Sequence, residues 1–491
     1  MDRINFSGNQ AIDDETLRGI IKAPQGKRIT FDELKALALQ ITQYYHDCGY
    51  FLARAIIPKQ NFYDGTVEIY ILEGQLGEII VSYVTPSACL ARRFSKRYIH
   101  KAFFKLEPDR AIRKRDLESS LVRLNDLSGI EASSILRVGK KTGTTDVVVE
   151  VTDQEKLKGL ISINNFGTEN TDRCRIASKF DIQNVSGFGD LLKLNVTSAP
   201  DPSDLLYGRL EYIRPIGSRG NKFHVYVSDG GSEVGGIFSA LGIKNRGTAW
   251  GIGISHPAYV SLTRKTVYNA FFDFDDTEYE ILGLLSAKDK IRKLRLGVDV
   301  DSKGSDWHNF LSFNIQRGLG KNLDGMINNS PLSSRSLSKA DNSFTKITGD
   351  YTHVKKLSPR TTLVARGRGQ YSIDPLVAKE QWSIGGINSV RGYESGICLG
   401  DSGFTVNLES YFSLDNEGSF QTQLVLFADG AMVSTKVPVP GQGKYDTLTG
   451  AGIGLRINFP YDTKFQFDLG FPMESDAIDD FVPYAQLSKE F

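Results

Sequence analysis

The chain has 491 residues, more than one ordinary core organises, so two or more domains or one very large barrel are expected. Lysine plus arginine number 59 against 58 for aspartate plus glutamate, a balance that removes the electrostatic case for a nucleic-acid partner. No run approaches the roughly 20 apolar residues of a membrane-spanning helix, which closes the helical route across a bilayer and leaves the strand route open.

Met1 is followed by Asp2-Arg3-Ile4-Asn5-Phe6, which reads as a strand rather than a secretory signal. Ile4–Ser7 is that strand, a polar helix follows over Asp13–Ile21, and Thr30 with Glu33 three residues later forms a capping box for a second helix. Leu34, Leu37, Ala38, Ile41 and Tyr45 recur at helical spacing, with Gly49 as the stop. Strands Tyr50–Ile57 and Thr66–Leu72, joined by an Asp64-Gly65 turn, complete a β-α-α-β-β unit over residues 1–74.

Residues 75–155 repeat that order: strand Leu76–Val84, helices Phe94–Phe104 and Ala111–Leu127, then strands Glu131–Val138 and Thr145–Val151. Each unit is a three-stranded sheet with helices on one face, leaving a sheet edge that can accept an extended peptide. Neither unit holds an acid/base pair, a nucleophile or a phosphate loop. Cys48, Cys89, Cys174 and Cys398 show no metal-ligand spacing, and the six histidines are scattered, so no cofactor or metal site is expected.

From residue 156 onward, alternating segments run to Phe491. Phe465, Phe467 and Leu469 alternate with Lys464, Gln466 and Asp468, and Leu294, Leu296, Val298 and Val300 with Arg295, Gly297, Asp299 and Asp301. Sixteen such segments start near residues 160, 172, 191, 206, 222, 246, 261, 290, 306, 342, 361, 403, 421, 446, 462 and 481. That spacing, about 21 residues per strand with its connection, suits strands that cross a bilayer, and an even antiparallel number closes without an exposed edge. Connections alternate between short ones (200–205) and long ones (231–245, 318–341, 373–402), as expected for short turns on one side and long loops on the other. Charge at inward parity, including Arg209, Arg366 and Glu409, implies a wet or plugged lumen.

Paired β-α-α-β-β modules before such a barrel resemble the two-partner secretion transporters of the hemolysin activator (TpsB) type, within the POTRA-bearing outer-membrane superfamily. The first module carries Tyr44, Gly49-Tyr50, Ala53-Arg54-Ala55, Pro58-Lys59-Gln60, Asp64-Gly65 and Glu73-Gly74. The second carries Leu124-Asn125-Asp126-Leu127, Gly129-Ile130 and Gly143-Thr144-Thr145-Asp146. The barrel carries Val390-Arg391-Gly392-Tyr393 and Gly400-Asp401-Ser402-Gly403, and ends on an aromatic, Phe491, similar to the terminal signature of bacterial outer-membrane barrels.

The resemblance implies POTRA domains at 1–74 and 75–155 in the periplasm, and a 16-stranded outer-membrane barrel over 156–491. It places Val390, Arg391, Gly392 and Tyr393 at the tip of a loop folded into the lumen between strands 11 and 12. The arginine then meets an acidic wall residue in a Phe-x-Asp-x-Gly motif. The matching segment here is Phe427-Ala428-Asp429-Gly430, where Ala431 stands at the motif's last glycine position. Asp429 shares inward parity with Phe427, and Glu409 on the twelfth strand is a second candidate partner.

The implied function is non-catalytic: capture of an unfolded, β-helical (TpsA-like) exoprotein of hemolysin or adhesin type, then passage through the barrel without nucleotide hydrolysis. Outer-membrane lipid is the other partner, and the functional unit is a monomer. The alternatives are an assembly factor of the same superfamily, against which two modules rather than a longer array argue, a diffusion porin, or a soluble enzyme on a β scaffold.

Overall fold

The computed structural model describes residues 3–21, 28–61, 65–84, 94, 96–414, 420–474 and 479–491; Asp64 of the expected turn and Cys89 lie outside the described residues. Among those residues, two three-stranded sheets precede a closed barrel of sixteen antiparallel strands.

The first sheet is ordered β1-β3-β2, from β1 (Arg3–Ser7), β2 (Arg54–Ile56) and β3 (Thr66–Leu72), with α1 (Asp14–Ile21) and α2 (Phe31–Asp47) on one face. The capping box forms as the sequence predicts: Glu33 N–H donates to Thr30 Oγ1 at 3.2 Å and Thr30 N–H donates to the Glu33 carboxylate at 2.6 Å. Leu34, Ala38, Ile41 and Tyr45 then form one buried stripe, which shares a core with Val67, Ile69 and Ile71 on alternate positions of β3. The strand predicted over Tyr50–Ile57 is shorter, because Tyr50 and Ala53 N–H groups bond the Tyr45 and Tyr50 carbonyls and hold residues 50–53 in turns.

The second sheet is ordered β4-β6-β5, from β4 (Gln75–Tyr83), β5 (Ile130–Val138) and β6 (Thr144–Asp153), with α3 (Lys96–Ala102) and α4 (Lys114–Asn125) against it. Both helices are shorter than their apolar periodicity suggests. The start of α4 is committed elsewhere: Ile112 N–H, just ahead of the helix, donates to Gly74 O at 3.2 Å, and Lys114 N–H, on its first residue, to Gly49 O at 2.9 Å, tying the modules together. Phe94 and Phe103 flank α3 and are buried without belonging to it.

In the barrel, consecutive strands pair from Leu157–Asn164 round to Val482–Glu490, and the last pairs with the first. That closing ladder runs from Gln486↔Asn164 to Glu490↔Leu160. The wall is tallest opposite it, where the sixth to eighth strands (Lys244–Val260, Arg264–Ile281, Leu284–Lys303) reach 17, 18 and 20 residues. The eighth begins earlier than the expected position near 290, because Leu282 and Gly283 at φ 54° and 74° make a two-residue hairpin turn.

Connections 184–190, 217–220, 261–263, 304–306, 357–360 and 460–462 share the end that faces the second module. There Ser128 N–H donates to Gly189 O at 3.2 Å, and Asp126 pairs with Lys265 at 2.6 Å. The long connections 319–344 and 373–401 lie at the other end. One expectation is corrected: the connection near 200–205 follows the third strand (Leu191–Ser198) and so belongs to the long-loop end, despite its length. Antiparallel alternation sets the side, and Asp201, accepting from Ser203 N–H at 2.9 Å, merely keeps that loop tight.

Candidate functional site

The connection 373–401 links the eleventh strand (Thr361–Ser372) to the twelfth (Ser402–Ser413) and is anchored at both stems. Glu380, buried, sits between Lys293 at 2.5 Å and Lys346 at 2.7 Å. Asp401, fully buried, accepts from Arg335 at 2.5 Å and from the Leu376 and Lys436 N–H groups at 2.9 and 2.7 Å. Between the stems, Trp382–Ile384 pairs with Cys398–Gly400, so the loop is a hairpin with its own two-stranded ladder. The tip, residues 385–397, projects from it.

Arg391 at the tip is 3 % exposed. Its Nε and Nη2 donate to the two carboxylate oxygens of Asp429 at 2.7 and 2.9 Å, and its backbone N–H donates to the same group at 3.1 Å. The fork geometry of guanidinium and carboxylate makes this bidentate pairing possible. Nη1 lies 2.8 Å from Glu409 and 3.8 Å from Asp468. Asn407 donates to Asp429 at 2.8 Å and to the Ser389 carbonyl at 2.6 Å, so wall and loop share one amide.

Two more arginines extend the network. Arg366 pairs with Glu409 at 2.9 Å, and Arg456 holds Asp468 bidentately at 2.6 and 2.9 Å. Three guanidinium groups therefore face three carboxylates. An isolated buried charge costs several kcal/mol, roughly, and a neutral, hydrogen-bonded network removes that cost.

The flanking residues seat the tip by shape. Val390, fully buried, packs with Ile384, Ala431, Val433 and Leu448. Ala431 thus uses its methyl group where the motif has glycine, while Gly430 faces open space. Gly392 has φ +104°, and a Cβ there would stand 2.6 Å from Pro472 N. Gly450 and Gly470 on the fourteenth and fifteenth strands supply the matching gap; a Cβ on Gly470 would stand 2.5 Å from Gly392 N. Tyr393 Oη donates to Thr449 O at 2.9 Å, and Tyr484 Oη donates to Tyr393 O at 2.6 Å.

The structure thus brings all seven sequence-selected residues together: Val390, Arg391, Gly392 and Tyr393 on the loop, and Phe427, Asp429 and Glu409 on the wall. Phe427 lies under the Arg391 guanidinium. Sequence reasoning missed Asp468, Arg456, Tyr484, Gly450 and Gly470 as parts of the seat. Asp468 had a usable signal, since it alternates at inward parity within Lys464–Leu469. The others contact the tip through strand register alone. Among the described residues, no group of three His, Cys, Asp or Glu is placed to hold a metal ion.

Residues 143–457 match the haemolysin secretion/activation protein ShlB/FhaC/HecB family, and residues 1–74 match the ShlB-type POTRA domain. The chain is 26% identical over 441 residues to the heme/hemopexin transporter protein HuxB of Haemophilus influenzae (strain 86-028NP), spanning 89% of this chain and 74% of that protein. It is 22% identical over 477 residues to the outer membrane transporter CdiB of Escherichia coli O6:K15:H31 (strain 536 / UPEC), spanning 90% and 73%. The solved structure of CdiB from Escherichia coli has the same fold, with a TM-score of 0.81 at 19% identity over 100% of this chain and 90% of that one. The chain belongs to the haemolysin secretion/activation (ShlB/FhaC/HecB) family of two-partner secretion transporters, an outer-membrane β-barrel with periplasmic POTRA modules.

Proposed function

We propose that this transporter captures an unfolded exoprotein on two POTRA modules, residues 1–74 and 75–155, and passes it outward through the barrel of residues 156–491. The observation that carries the reading is the seat of Arg391, a buried, bidentate, charge-balanced contact at the tip of a loop 373–401 that enters the lumen. A lumen holding such a loop is not an open pore, so passage requires Arg391 to leave or shift on its wall. Asp429 is the primary seat and Glu409 the secondary one.

The protein is not an enzyme in this reading. Its sequence carries no phosphate loop, and folding of the exoprotein outside supplies direction instead of nucleotide hydrolysis. One copy in outer-membrane lipid suffices, because a closed ladder leaves no edge that needs a partner. The exoprotein is an elongated β-helical chain of hemolysin or adhesin type. HuxB's name, heme/hemopexin transporter, adds a haem- or hemopexin-handling exoprotein as a second class.

Co-expression with the exoprotein encoded beside this chain tests the reading. Exoprotein should appear in the medium, and binding of that material to hemopexin separates the two classes. Retention in the periplasm sinks the transport reading. Loss of other outer-membrane barrels on deletion supports the alternative, an assembly factor.

A further inference from the structure

A cleft of about 580 Å³ lies at the seam between the two modules, lined by Tyr50, Glu73, Glu107, Arg110, Arg113 and Asp116 among others. Its ionic groups are paired with two exceptions. Arg110 holds Glu107 at 2.9 Å and Lys105 lies 3.8 Å from Asp116. Glu73 and Arg113 have no ionic partner among the described residues.

Glu73 is only 3 % exposed. Its Oε1 accepts three hydrogen bonds, from the Gln10 and Ala11 N–H groups and from Tyr45 Oη, each at 2.8 Å. Its Oε2 is buried with no hydrogen-bond partner. A carboxylate has acceptor capacity on both oxygens, and an unused buried one is rare enough to require a reason. Burial and the bond to Glu73 push the Tyr45 phenol well above its ordinary value, so Tyr45 remains a donor to Oε1. Arg113 is the mirror case: its Nε and Nη2 both donate to a hydroxyl, Tyr50 Oη, at 2.9 and 2.6 Å.

One cleft therefore offers a spare acceptor on Glu73 and, on Arg113, a cation with no carboxylate in salt-bridge contact, Asp116 acting on it only at longer range. We propose that this seam binds a main-chain amide of the unfolded exoprotein, with the peptide N–H donating to Glu73 Oε2 and the peptide carbonyl accepting from Arg113. Every segment of an extended chain carries both groups, so the site reads backbone rather than sequence. It is distinct from strand addition at a sheet edge, since the cleft is walled by the loop after β1, the start of β4 and the approach to α4. The inference rests on the transport reading above.

The test uses the full chain in the outer membrane, co-expressed with the exoprotein encoded beside it, with a photocrosslinking amino acid at the exposed Glu107 position. The cross-link to exoprotein should form in the otherwise native chain. It should fall at least about tenfold in Glu73→Gln and in Arg113→Gln, the scale of one lost charge-assisted hydrogen bond. Glu73→Gln keeps an oxygen for Gln10, Ala11 and Tyr45 and presents an amide N–H₂ to the cleft. Arg113→Gln leaves the Glu73 bonds intact and decides the matter if the first variant proves protease-sensitive. Undiminished cross-linking in Arg113→Gln, or no cross-link from position 107 while secretion continues, overturns the seam site and leaves the transport reading standing. Absence of secretion by the native chain overturns the transport reading itself.

Discussion

The Arg391 guanidinium lies over the face of Phe427, its central carbon 3.5 Å from the ring centroid, while its edge is forked onto Asp429 two residues along the same strand. One strand supplies both partners because residues i and i+2 point to the same side. Face and edge together fix the plane of the cation, so orientation as well as charge is specified.

Arg391→Lys keeps the charge and loses the fork and the stacking plane. Secretion is expected to fall between native and Arg391→Ala. The alanine variant leaves Asp429 buried without its cation, an effect of about 3–5 kcal/mol for a broken buried pair. Its outcome is a released loop: raised conductance in planar bilayers, impaired secretion, and heat-modifiable gel mobility that still reports a closed barrel. Native conductance from Arg391→Ala would rule out a role for this contact. Combining Arg391→Asp with Asp429→Arg should restore part of the secretion that each loses alone.

Gly392→Ala is expected to reproduce the Arg391→Ala phenotype without touching a charge. Its backbone is left-handed at φ +104°, and the new methyl group meets Pro472 and Phe471. Gly470→Ala attacks the same gap from the wall. Gly430→Ala, where no atom lies within 4 Å of the added Cβ, should behave as native. Limited proteolysis of the 385–397 tip distinguishes the three.

Arg456→Ala leaves the fully buried Asp468 with the Gln466 amide, which donates to it at 2.9 Å, and with Arg391, 3.8 Å away, as its remaining cation. That pulls Arg391 between two acids, so resistance to heat or urea on gels should drop. Adding Asp468→Asn should recover part of the loss, a coupling of about 1–3 kcal/mol for residues in one network. Strict additivity in this double-mutant cycle would mean that Arg456 does not serve the seat.

Tyr484→Phe removes the hydroxyl that donates to Tyr393 O at 2.6 Å and accepts from Gly392 N–H at 3.2 Å. Two buried backbone groups lose a partner, which costs about 1–3 kcal/mol for each group left unsatisfied. The urea midpoint of the barrel should fall, and hydrogen exchange at Gly392 should accelerate.

Thr30→Ala removes the cap of α2, a change of about 1 kcal/mol in comparable helices. The Thr30 backbone N–H, then its hydroxyl, hold the Glu33 carboxyl below its ordinary value of 4.5. A lowered folded-state value means the contribution is present at neutral pH and is lost as pH falls through that value. Hydrogen-exchange protection of the first turn of α2 should therefore weaken in acid in the native chain. In Thr30→Ala it should already be weak at neutral pH.

Strand parity alone put Phe427, Asp429 and Glu409 on the inner face, and the glycines around Arg391 marked a loop that approaches a wall. Parity is local: each side chain points opposite to its neighbour whatever the rest of the chain does. Helix limits were less legible. The periodicity of Ala111–Leu127 is real, yet the N–H groups of Ile112 and Lys114 are used by carbonyls of the first module, and α4 starts only at Lys114. Connection length misled at 200–205, because topology, not length, decides which end of a barrel a loop occupies.

The sequence by itself determined that the last two thirds of this chain are alternating strands, that two α/β modules precede them, the first with a capped helix, and that an arginine stands among glycines between the eleventh and twelfth strands. These are matters of period and turn chemistry, carried by residues within a few positions of one another. Only the tertiary structure decided that Asp468, Arg456, Tyr484, Gly450 and Gly470 meet the same arginine and its neighbours. Those contacts join the loop tip to the fourteenth, fifteenth and sixteenth strands, and their register is set by the closed ladder as a whole. The balance of three guanidinium groups against three carboxylates follows from that closure, which no single segment contains.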